Sequence, residues 1–322
     1  MSPANINFLN AFLMIAAAVA SFYLPFEVLV LSYAILGPAH YLTQISWLHD
    51  RGYFLPSRVA AALLAALAIS ISFPVALMLA GAAPADSAPA SYNTKPAYEW
   101  TSALLLGGFL ASAVLILPIA SHLRWIAAAA AVAGSLAIGL DYRIAYVGIF
   151  LPTIIHVFVF TGAFILFGAL RSRSASGYFS FIVFLGCAAA LLFIRNQLPA
   201  YKPAAAFQQN AKFMETVHAG VRWIFDLGEG RTSSLAAMRF LAWIYLYHYL
   251  NWFSKTQIIG WHAIPMRRVI VIIIAWIASV GLYAYDYTVG LSFLIFLATL
   301  HVVLEFPLDA RTLGALVTGR KV

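Results

Sequence analysis

Residues 289–306 read VGLSFLIFLATLHVVLEF. The stretch is long enough to cross a bilayer as a helix, and it carries one histidine, His301, and one carboxylate, Glu305. Runs of this kind recur along the chain. Of its 322 residues 63% are hydrophobic and only 9% charged, whereas a soluble domain carries about 25% charged residues. Such a chain has little water-facing surface to offer, so lipid is its solvent. A membrane β-barrel shows short alternating segments, and here the apolar runs are long and unbroken. The sequence predicts an all-α, polytopic transmembrane helical bundle occupying residues 1–322 as a single integral membrane domain.

Ten spans are expected, with eight or nine as the lower count: 6–24, 27–49, 58–82, 99–120, 124–140, 145–169, 178–195, 235–258, 269–287 and 289–306. Ala18-Val19-Ala20 follows an apolar stretch as a signal-peptidase site would, but no Lys or Arg precedes it, so the first helix is expected to be retained. Ten crossings place both termini on one side. That side gathers Arg51, Arg58, Arg124, Arg171, Arg173, Lys255, Arg267, Arg268, Arg311, Arg320 and Lys321, whereas the short loops opposite hold Lys95 and Arg143. The positive-inside rule then makes both termini cytoplasmic. The formal net charge of +8 is read as this topology signal. No aromatic-interleaved basic stripe suggests nucleic acid. In the non-cytoplasmic loop 196–234, Phe207, Phe213, Met214, Val217, Val221, Ile224 and Phe225 recur at helical spacing, which predicts an amphipathic helix on the membrane surface. The single cysteine, Cys187, rules out an intrachain disulfide and a thiolate metal cluster.

Four of the eight histidines fall inside expected spans: His40, His156, His248 and His301. All four helices cross in the same direction. The histidines lie between 11 and 13 residues past their expected helix starts, a spread of ~3 Å in depth at the α-helical rise. A polar side chain at mid-bilayer is costly and faces the bundle interior. One buried histidine alone is commonly a hydrogen-bonded core residue, but four at one depth suggest a shared metal centre, since neutral imidazole is the commonest metal ligand. Glu305 follows His301 by four residues, Gln44 follows His40 by four and Asn251 follows His248 by three, so each can orient an imidazole. Tyr245, Tyr247, Tyr249 and Trp252 surround His248 and are expected to line an apolar substrate tunnel.

The stretches Gly37-Pro38-Ala39-His40 and Tyr247-His248-Tyr249-Leu250-Asn251-Trp252 loosely resemble motifs of the Brp/Blh family of membrane β-carotene cleaving dioxygenases. Ala39 and Tyr41 flank His40 where that family has proline and glycine, and Trp252 stands where it has a second histidine. The resemblance implies non-haem iron held by histidines from several helices, here His40, His156, His248 and His301. The leading expectation is therefore an Fe(II)-dependent membrane oxygenase acting on a lipid-soluble substrate such as an isoprenoid, carotenoid or fatty chain, with membrane lipids as its surroundings. Two alternatives stay open. One is a haem-binding electron-transfer subunit with haem b on two of the histidines. The other is a non-enzymatic transporter or structural subunit of a membrane complex. The His-x-x-x-His spacing of di-iron desaturases, a Walker motif, a G-x-S-x-G elbow and an H-E-x-x-H motif are all absent from the sequence.

Overall fold

The computed structural model describes residues 2–79, 95–138, 151–194, 201–202, 221–222, 225–228, 231–255, 260 and 264–319. Most of the expected surface helix at 204–226 lies outside them. The described residues form helices and no strand. Six of their helices are long and apolar enough to cross a membrane: Pro3–Tyr23, Pro25–His49, Ile154–Ser172, Ala175–Phe193, Met266–Tyr285 and Val289–Thr318. Arg58–Phe73 and Thr101–Leu115 are shorter apolar helices. An all-helical chain with several membrane-length spans is thus what the composition predicted. The chain divides into two compact units, Met1–His40 with Thr161–Val269, and Tyr41–Phe160 with Ile270–Val322.

The first unit opens with α1 (Pro3–Tyr23), whose Ser2 hydroxyl caps the helix by accepting from the Asn5 amide. Leu24 breaks the helix at φ −128°, and Pro25 starts α2 (Pro25–Leu31) in the first turn, where its missing N–H costs nothing. A π-helical stretch, Ser32–Leu36, follows and leads into α3 (Gly37–His49). The π stretch ends where the Gly37 amide donates back to the Ser32 carbonyl. Pro38, next in line, has no N–H with which to resume the α ladder at once. α7 (Thr161–Ser172) and α8 (Ala175–Phe193) form a hairpin, and α9 (Arg231–Ser254) packs on α1, α2 and α8. Trp243 and Tyr247 are fully buried. They stack on each other and meet Phe184, and Trp243 donates its indole N–H to the Met14 carbonyl at 3.0 Å. Arg239, also buried, lays its guanidinium over the Phe22 ring at 4.1 Å and donates to the Phe22 carbonyl at 2.8 Å. At Tyr201 the phenol donates to Glu27, and burial first, then that carboxylate, raise its pKa.

The second unit contains the rest of α3, a 3₁₀ turn at Gly52–Phe54, α4 (Arg58–Leu79), α5 (Lys95–Leu115), α6 (Ser121–Ile138), a second π-helical stretch at Leu151–Phe160, α10 (Met266–Tyr285) from Ile270 onward and α11 (Tyr287–Thr318). α11 packs on α4 and α5, and α5 pairs with α6. Leu48, Leu64, Ala68, Ile71, Leu105, Val303 and Phe306 form the core between them. Gly108 lets α5 approach closely, since an added Cβ would stand 2.6 Å from Leu67 Cδ2. α10 turns Ile270, Val271, Ile274 and Ile277 outward, which in water would be a liability and in lipid is the natural state of an outer helix. Asp286 caps α11 by accepting from Val289 N–H at 2.9 Å.

α11 differs from its expected extent. The last span was expected to end at Phe306, yet the helix runs through Pro307 to Thr318. A proline inside a helix removes one backbone donor, and membrane helices tolerate this where neighbouring helices cover the site. Val303, Leu304 and Phe306 around it are buried. The longer helix adds Asp309 to the face that carries His301 and Glu305.

Candidate metal centre

Each unit brings two of the four histidines together. In the first, α3 supplies His40 and the middle of α9 supplies His248. Their Nε2 atoms are 3.1 Å apart and their rings cross at 75°. His40 is fully buried. The other nitrogen of His248, Nδ1, lies 2.9 Å from the Thr161 hydroxyl oxygen. The two contacts are coupled through the imidazole. When Nδ1–H donates to Thr161, the Nε2 lone pair of His248 faces His40 and is free to bind a cation. When Thr161 donates instead, Nε2–H of His248 donates to His40. Two nitrogens 3.1 Å apart, each about 2.1 Å from one ion, would subtend roughly 95° at it, a normal ligand angle. Tyr249 and Trp252 pack their rings on His40, with centroids at 5.2 and 5.4 Å.

The second unit gathers a mixed set of donors. His156, in the π-helical stretch Leu151–Phe160, is buried. Its Nε2 lies 3.6 Å from Glu305 Oε2 and its Nδ1 lies 3.7 Å from Asp309 Oδ2. The His301 ring meets that of His156 edge-on at 5.4 Å and is stacked on Tyr41 at 4.1 Å. Gln44 donates from its amide nitrogen to Glu305 Oε2. Glu305 and Asp309 are both buried, Asp309 completely. Neither Asp309 oxygen has a hydrogen-bond partner among the described residues. Two carboxylates in an apolar interior are costly unless a cation or a proton accompanies them. Two imidazoles and a carboxylate are the donors of non-haem Fe(II) oxygenase sites. A carboxylate on the far nitrogen of a histidine is the usual device that fixes a ligand's tautomer and direction.

The other expected residues fall as follows. Gln44 acts on Glu305 through its amide. Asn251 accepts weakly from the Tyr247 hydroxyl at 3.5 Å. Tyr247 is packed between Trp243 and Phe184 in the core of the first unit, and its hydroxyl also reaches Asn10 at 3.4 Å. Tyr245 meets Tyr33 edge-on at 5.9 Å. Among the remaining histidines, His49 is exposed beside Asp50. His218 and His262 lie outside the described residues. Sequence reasoning missed Asp309 and Thr161. Asp309 was readable, standing at four and eight residues from Glu305 and His301 on one helix face. Thr161 carried no local signal, because its partner His248 is far along the chain.

Compared with protein-family models, curated proteins and solved structures, the chain matches none.

Proposed function

We propose that this protein is a metal-dependent membrane oxidoreductase, with non-haem Fe(II) as its metal and a lipid-soluble substrate such as an isoprenoid, carotenoid or fatty chain. The proposed ligands are His40 and His248 in the first unit and His156 and His301 in the second. Glu305 and Asp309 serve as the carboxylates that balance the metal's charge and orient His156. The observation that carries the reading is the placement of buried His156 between two buried carboxylates, with His301 beside it. In the proposed setting these helices span the membrane about ten times, the shorter apolar helices included, and both termini face the cytoplasm.

The haem alternative is less well supported by the first unit. Two axial nitrogens stand about 4 Å apart across a haem iron, whereas Nε2 of His40 and Nε2 of His248 are 3.1 Å apart.

Metal analysis and an absorption spectrum of the detergent-purified full chain test the proposal. Near-stoichiometric iron without a Soret band, lost in His156→Ala and in His248→Ala, is the expected result. Loss with only one of the two would confine the ligands to that unit. Neither metal nor pigment in protein kept from chelators would overturn the reading.

A further inference from the structure

The second unit also contains a cleft that plays no part in the centre described above. It has a volume of about 710 Å³. Its rim is the turn between α3 and α4, where His49, Ser57 and Arg58 stand. Its walls are apolar: Ala61, Ala62 and Ala65 of α4 face Leu300 and Leu304 of α11. The three alanines lie at helical spacing on one face, and their small side chains make the slot. From Arg58 to Ala65 it follows α4 for about 10 Å at the α-helical rise.

The rim is basic. Arg58 is exposed on it. Arg311 reaches the same turn by donating to the Phe54 carbonyl at 2.8 Å, and Arg51 lies over the Trp47 ring at 4.0 Å. The one carboxylate among these groups is Asp50, which is 3.5 Å from His49 Nδ1. The backbone of the turn is held in the left-handed region at Gly52, Tyr53 and Phe54, a conformation that non-glycine residues rarely adopt. Arg311 ties its last carbonyl down. A preformed apolar slot with Arg58 and His49 at its mouth, and with Arg51 and Arg311 on or against the same turn, matches one kind of ligand: a hydrocarbon chain ending in an anionic headgroup.

We propose that this cleft binds an anionic membrane lipid, one acyl chain lying along Ala61, Ala62 and Ala65 and the phosphate at Arg58. The site is separate from the metal reading and does not depend on it.

The test uses the full chain in detergent, with phosphatidylglycerol and phosphatidylcholine of identical acyl chains as probes. Retained lipid is read by native mass spectrometry. Phosphatidylglycerol is expected to be retained in preference. Arg58→Gln should cut that preference roughly fivefold, the equivalent of about 1 kcal/mol per basic residue near a headgroup. Ala62→Phe should abolish retention by filling the slot, while Arg171→Gln, at another basic helix end, should leave it unchanged. Equal retention of the two lipids by the wild type would overturn the proposal. So would an Arg171→Gln loss equal to that of Arg58→Gln, or full retention by Ala62→Phe.

Discussion

Asp309 Oδ2 stands 3.7 Å from Nδ1 of His156, with the Asp309 side chain wholly buried. On the other side of the ring, Nε2 lies 3.6 Å from Glu305 Oε2. Asp309→Leu is predicted to lower iron affinity by about 10- to 100-fold, the usual cost of losing a partner that orients a ligand histidine. Asp309→Asn should lose less, because it keeps a carbonyl oxygen beside Nδ1 of His156 that can accept its N–H once the centre tightens around a metal. The metal-free Asp309→Leu protein should unfold at the same temperature or higher, since a buried carboxyl without a hydrogen-bond partner has been replaced by an apolar side chain. Metal titration and thermal unfolding of both forms check this. A Leu variant that binds iron normally would remove Asp309 from the centre.

Thr161 does for His248 what Asp309 does for His156, with a hydroxyl in place of a carboxylate. Thr161→Val keeps the shape and removes the oxygen 2.9 Å from Nδ1. Iron affinity should fall about tenfold, and Thr161→Ser should restore most of it. Equal losses in Val and Ser would mean that packing, and not the hydrogen bond, matters at this position.

A change outside the site should separate stability from metal binding. At Gly290 an added Cβ would lie 2.6 Å from Tyr283 Cδ1 and 2.8 Å from its backbone Cα, where α10 turns into α11. Gly290→Ala is predicted to destabilise the fold by about 1–3 kcal/mol through overpacking. Iron per folded chain should be unchanged. Denaturant unfolding in mild detergent, paired with metal analysis of the folded fraction, reads both.

In the first unit, Trp243→Phe keeps most of the ring stack with Tyr247 and removes the indole donor to the Met14 carbonyl. About 1 kcal/mol of stability should be lost, the net worth of one intramolecular hydrogen bond. The same unfolding measurement checks it. A loss several times larger would mean that the indole also fills space that phenylalanine leaves empty.

Helical class was legible in the sequence because lipid-facing helices have no reason to carry charge, as the outward isoleucines of α10 illustrate. The histidines paired as well, since polar side chains on apolar helices turn inward. Local spacing carried less far. Glu305 could be placed on His301's face from i, i+4 geometry, and its contacts with Gln44 and His156 are long-range. Asn251 has the right spacing from His248 but accepts from Tyr247, because a helix offers a polar group more than one neighbour. Tyr247 was read as a tunnel wall from its proximity to His248, and it lies between Trp243 and Phe184 instead. Asp309 was missed because the last span was read as ending at Phe306, whereas the helix continues through Pro307 to Thr318.

The π-helical stretches at Ser32–Leu36 and Leu151–Phe160 act on the chain as a change of phase. A π turn takes up one more residue than an α turn. Each residue beyond it is therefore rotated by about 100° relative to an uninterrupted α-helix. His40 comes four residues after the first stretch, and His156 lies inside the second. Relaxation of Ser32–Leu36 to α geometry at unchanged length would swing His40 about a quarter-turn away from His248, whereas loss of one residue together with that relaxation would leave His40 facing as it does. The match between the length of this segment and its π geometry, more than the identity of its side chains, is thus what keeps the pair together.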